Sequence, residues 1–115
     1  MLSPGTAVKV IIHLNEDTSS SHDFLYTEIF AFLYSNGVSG ATMIRPHAGF
    51  GSHHRIHTTG AGSLESEHLP VRIEFLESQE VVDAVLPSLC ELVTDGLIEA
   101  HPTTIIKTVL SAPSI

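Results

Sequence analysis

Between Gly49 and Ser63 the sequence reads GFGSHHRIHTTGAGS. Three imidazoles (His53, His54 and His57) and the guanidinium of Arg55 lie between glycines, a grouping that could serve several chemistries. A metal is the first. Zinc takes about four ligands, with each imidazole oriented by a further contact. His53 and His57 are four residues apart, a spacing that converges only on a helix. The stretch follows Gly-Phe-Gly and has no apolar stripe, so it does not read as helical. His47, Glu65, Glu67 or His68 could supply further ligands. The plain alternative is a solvated loop that takes metal adventitiously.

An anion is the second. Gly49 and Gly51 can adopt positive φ and aim successive N–H groups at one ligand. Arg45 and Arg55 would add charge-assisted contacts, and Phe50 would anchor the base of the loop. Neither the P-loop nor the dinucleotide fingerprint is present. Catalysis is the third. Ser52 stands beside His53 and His54, but a nucleophile needs a base held by a third group on a rigid scaffold. A Gly/Ser-rich loop supplies no such scaffold, and an enzyme is not expected. Histidine also titrates near physiological pH, so a pH response stays open.

The whole chain limits these choices. Its 115 residues fit one domain, 1–115, because domains cluster at about 100–150 residues. With 43% hydrophobic residues it can bury a core. The formal charge is −8, and the five cations Lys9, Arg45, Arg55, Arg72 and Lys107 are scattered. That argues against nucleic acid, whose binders carry a basic patch. A single cysteine, Cys90, excludes an intramolecular disulfide and a multi-cysteine zinc site. Its neighbours Leu89 and Leu92 suggest a small buried hydrophobe. No apolar run reaches the ~18–20 residues of a transmembrane helix, so no membrane insertion is expected. The N-terminus has no signal-peptide pattern, and a cytoplasmic protein is expected.

The elements that must position the loop follow from periodicity. Residues 7–14 alternate Val8, Val10, Ile12 and Leu14 with Lys9, Ile11 and His13, as a strand does. NEDTSSS breaks the pattern, and Ser20 or Ser21 reads as the N-cap of a helix over 22–35. Leu25, Ile29, Phe32 and Leu33 form its core stripe, with Tyr26, Phe30 and Tyr34 beside it. Asn36-Gly37 ends it. Residues 40–47 read as a second strand ending at Pro46. The loop then runs from about 48 to 67, long enough to be expected flexible and functional. Residues 69–78 read as a third strand. A second helix over 79–94 carries Val82, Val85, Leu86, Leu89 and Val93, with a kink expected at Pro87. A fourth strand over 97–109 is expected to break near His101-Pro102.

The order βαβ then βαβ predicts an α+β, ferredoxin-like split βαβ domain (βαββαβ). Its sheet is four-stranded and antiparallel, with both helices on one face. The other face keeps Ile11, Ile44 and Leu76, and an exposed apolar patch of that kind is commonly buried by self-association.

The run GVSGATMIRPHAGFGSHHRIHT, residues 37–58, resembles the signature of the PII-like family known as domain-of-unknown-function family 190. Leu25-Tyr26, Gly40-Ala41-Thr42 and Gly49-Phe50-Gly51 carry the likeness. LPVRIEFLES and VLPSLCELVTDGLI extend it over about 7–109. The chain departs from the family pattern at Arg45-Pro46-His47, where the family often has Arg-Gly, and at Asn15-Glu16-Asp17. The resemblance implies a homotrimer with the sheets facing inward. It also implies a regulatory role, with an adenine nucleotide held in clefts between subunits. A mobile loop would act on a partner such as a membrane transporter or an enzyme. Arg45, Gly49, Phe50, Gly51 and Arg55 are the expected ligand-binding residues. His53, His54 and His57 are the expected metal ligands if the alternative, a divalent-metal protein, holds.

Overall fold

The computed structural model describes residues 2–15, 24–46, 48–49, 57–58 and 70–109. Strand β1 spans Gly5–Asn15, helix α1 Leu25–Ser35 and strand β2 Ala41–Ile44. Two short strands follow, β3 at Ala48–Gly49 and β4 at His57–Thr58. Strand β5 is Pro70–Glu77, helix α2 Gln79–Leu92 and strand β6 Leu97–Ile105. The four long strands form one sheet in the order β2-β5-β1-β6. Every neighbouring pair in it is antiparallel. This is the expected ferredoxin-like arrangement.

Alternation along the strands sorts the two faces. Val8, Val10, Ile12 and Leu14 of β1 and Val71, Ile73 and Phe75 of β5 point to the helices and are buried. Leu25, Ile29 and Leu33 of α1 meet them, as do Val82, Val85 and Leu89 of α2. Burying each such side chain fully is worth about 1.5–3 kcal/mol, so this single layer dominates stability. Phe32, Tyr26 and Phe30 pack at its margin, while Tyr34 is exposed. The helix-free face holds Ile11, Ile44 and Leu76, as the alternation predicts, but Ile11 is already buried within the single chain and Ile44 and Leu76 are half-buried.

The turn after α1 has a full set of closing bonds. Gly37 has φ 79°, a conformation that favours glycine. Its N–H reaches the Tyr34 carbonyl at 3.3 Å, and the Val38 N–H reaches Leu33 at 3.1 Å. These two bonds make a Schellman motif, and Val38 packs against the core behind it.

Several expectations are corrected. Helix α1 opens at Phe24, whose backbone is extended and whose carbonyl accepts from Thr27 and Glu28. Its first residue is therefore Leu25 and not residue 22, and Ser20 and Ser21 lie outside the described residues. Helix α2 ends at Leu92, short of the expected residue 94, and holds Pro87 inside it, as read from the sequence. Pro87 and Asp83, whose carbonyl loses its partner, are both on the exposed side, where water can replace the missing N–H. Its N-cap is Ser78, whose Oγ accepts the Val81 N–H at 3.3 Å. Strand β6 is continuous across Pro102, which pairs with Val8. It is an edge strand, the position in a sheet that tolerates proline. Cys90 is exposed, not buried, because it falls one position off the Val82-Val85-Leu89 stripe. Strand β2 ends at Ile44, short of the expected residue 47.

Candidate functional site

The loop that opened the sequence reading has structure at its base. Ala48 pairs with Thr58 and Gly49 with His57 in a two-stranded antiparallel ladder. Two of the singled-out positions, Gly49 and His57, are thereby brought opposite each other. Arg45 is exposed at the end of β2, three residues before the ladder begins. Phe50, Gly51, Arg55, His53 and His54 lie outside the described residues, as do His47, Ser52, Glu65, Glu67 and His68.

Beside the ladder is an open cavity of about 330 Å³ at the end of the main sheet. Ile44 at the end of β2, Pro46 after it and Ala48 of β3 line one side, and His13 and Arg72 line it from the sheet. His13 and Arg72 are partners across β1 and β5. Neither was singled out from the sequence as a site residue. Their signal was the alternation itself, which puts His13 and Arg72 on the same side as Ile11 and Glu74.

From this end a charged layer extends over the helix-free face. Glu74 accepts two cations, with Lys9 Nζ at 3.5 Å and Arg72 Nε at 3.2 Å. Glu99 stands between two histidines. His101 Nε2 is 2.6 Å from Oε1, and His13 Nε2 is 3.3 Å from Oε2. The first is a hydrogen bond. The second lacks the angle for one, so it is an electrostatic contact. The hydrogen bond from His101 is the main cause that holds the Glu99 carboxyl below the usual carboxylate range. Among the described residues no group of three or more His, Cys, Asp and Glu could hold a metal ion.

The geometry and sequence together fix the relationship to known proteins. Residues 7–105 match the model of domain-of-unknown-function family 190, described as "Uncharacterized ACR". The chain belongs to domain-of-unknown-function family 190. This member is 32% identical over 92 residues to a UPF0166 protein of Methanocaldococcus jannaschii, covering 76% of this chain and 80% of that one. Its fold is similar to that of CPII, a nitrogen regulatory PII-like protein from Thiomonas intermedia, in a structure bound to ADP, AMP and bicarbonate. The TM-score is 0.66 at 17% identity, over 93% of this chain and 94% of the other. A PII-like signaling protein from Thermus thermophilus gives a TM-score of 0.58 at 20% identity, over 90% and 91%. The family 190 chain thus has a PII-like fold. No helix among its described residues is long and apolar enough to cross a membrane.

Proposed function

We propose that this chain is a PII-like signalling protein, a binding protein and not an enzyme. It senses a small phosphate-bearing anion, an adenine nucleotide by preference, at clefts between the subunits of a homotrimer. The observation that carries the reading is the Gly49–His57 ladder, which gathers the base of the loop beside Arg45 on a fold similar to that of nucleotide-bound CPII. The ligand contacts are assigned to Arg45 and Arg55 by charge, and to Gly49 and Gly51 by backbone N–H groups, with Phe50 anchoring the loop base. The loop between β3 and β5 is the segment that carries the signal to a partner protein. A ligand that binds only the native chain raises its melting temperature by mass action. Calorimetric titration with ADP, AMP and ATP tests the reading directly. Binding tighter than about millimolar is expected, and its absence for every adenine nucleotide would refute the reading.

Self-association is the second part of the proposal, supported by the apolar residues of the helix-free face. Replacing Ile44 with Asp places a charge on that face without touching the helix-side core. Light scattering should give a trimer mass for the parent chain at micromolar concentration and a monomer mass for Ile44→Asp. A monomeric parent would rule the assembly out.

A further inference from the structure

Among the described residues, the sheet face that no helix covers carries two carboxylates, each set between two nitrogen bases. Its register explains why. Ile11 of β1 pairs with Glu74 on one side and Glu99 on the other. The row toward one end places Lys9 between Leu76 and His101, and the row toward the other places His13 between Arg72 and Leu97. Each carboxylate therefore meets one base from each flanking row, Lys9 and Arg72 at Glu74, His101 and His13 at Glu99. Strand β2 adds Thr42 and Ile44, neither of which titrates.

Among the described residues, the charges on this face balance in one state only. With both imidazoles neutral, Lys9 and Arg72 offset Glu74 and Glu99. With both protonated, the face gains two positive charges. Glu99 is then shared between two imidazolium groups, and Glu74 is already shared between Lys9 and Arg72, so among the described residues of this face no carboxylate is left for the second proton.

We propose that copies of this chain meet on this face and that protonation of His13 and His101 loosens the contact. The proposal rests on the self-association put forward above and adds its regulation. A second copy is the occupant that fits the charge pattern. In the balanced state the face is neutral overall among the described residues and offers the half-buried Ile44 and Leu76 and the exposed Leu97, so a like face meets it without net repulsion. In the protonated state assembly would take like charges out of water and set them near one another, which disfavours the charged form. The separated chain then binds more protons than the assembled one, and lowering the pH favours separation by linkage.

The experiment is light scattering at one micromolar concentration, at about pH 7.5 and about pH 5.5, a span that brackets histidine titration. It compares the parent chain with H13Q/H101Q and with E99Q, and circular dichroism at both pH values reports folding. The parent is expected to be assembled at the higher pH. Its dissociation constant should rise at least about tenfold at the lower pH, with the secondary structure kept. H13Q/H101Q should stay assembled at both, and E99Q, which leaves the face positive, should be weakened already at the higher pH. A parent chain that is monomeric at both values overturns the self-association reading and this proposal with it. Equal assembly of the parent at both pH values overturns this proposal alone. So does a full pH effect retained in H13Q/H101Q, or unfolding in place of separation at the lower pH.

Discussion

The carboxylate of Glu77, 3% exposed at the end of β5, accepts the Ser39 N–H at 2.7 Å through Oε1. Its other oxygen accepts the Ser78 N–H at 3.3 Å. One side chain thus ties the α1–β2 connection to the N-cap of α2. A hydrogen bond to a charged group is worth about 1.5–3 kcal/mol, and stranding a buried donor adds cost. Glu77→Ala is expected to destabilise the chain by about 2–3 kcal/mol in urea unfolding at fixed protein concentration. Glu77→Gln keeps one oxygen acceptor for Ser39 and should lose less. Equal losses for the two variants would show that packing, not the Ser39 bond, sets the effect.

Gly96 precedes β6 with φ 155°, and a Cβ there would collide with the His13 carbonyl oxygen of β1. Both atoms in that encounter are held by backbone, so neither can swing away. Gly96→Ala should cost more than about 2 kcal/mol, from overpacking together with an unfavourable dihedral. Gly37→Ala is the comparison. Its φ is also positive, but no atom lies within 4 Å of a Cβ placed there. It should cost only about 1–2 kcal/mol, the strain of the left-handed conformation. Melting curves of the two variants should therefore fall in that order.

The Glu99 carboxyl is held below the usual range first by its hydrogen bond from His101, and further by the charges of His101 and His13. A carboxyl depressed in the folded state contributes stability that is fully present above its unfolded value, and that is lost as pH falls through the folded value. Carbon-detected NMR titration should give a midpoint for Glu99 below 4.5. His101→Ala should raise that midpoint. An unchanged midpoint would remove His101 as the cause.

Arg45 leads from β2 into the loop ladder. If its guanidinium contacts a phosphate, losing a charged contact of about 1.5–3 kcal/mol should weaken nucleotide binding roughly 10- to 150-fold. Arg55→Ala should have a comparable effect, and Gly51→Val should damage binding through the backbone while leaving the melting curve of the free chain intact. Titration calorimetry on the three variants checks this. Binding as tight as that of the parent in both arginine variants would remove the anion reading of the loop.

The fold was legible because its signals are local and repeated. Val8, Val10, Ile12 and Leu14 alternate over a long strand, and Leu25, Ile29 and Leu33 recur at helical spacing, so one sequence window reveals each element. Boundaries were less legible. Pro102 reads as a strand breaker until β6 is known to have only one neighbour. Cys90 reads as buried from its residue type, whereas its register on α2 decides. Strands β3 and β4 have two residues each and can show no alternation at all. The His13–Glu99–His101 cluster could not be read from spacing. Those residues meet because β1 pairs with β6, and strand order is a property of the whole sheet. Of the candidate site, the sequence marked the segment and its charges. The sheet-side residues His13 and Arg72 became visible only with the register.

The ladder between Gly49 and His57 also sets a length scale. Gly49 and His57 are paired although seven sequence positions, 50–56, separate them. Closing so short an arc carries little entropic cost compared with closing one long tether from Ile44 to Pro70. Whatever reads that segment therefore meets it where its two ends are held together, at the paired Gly49 and His57.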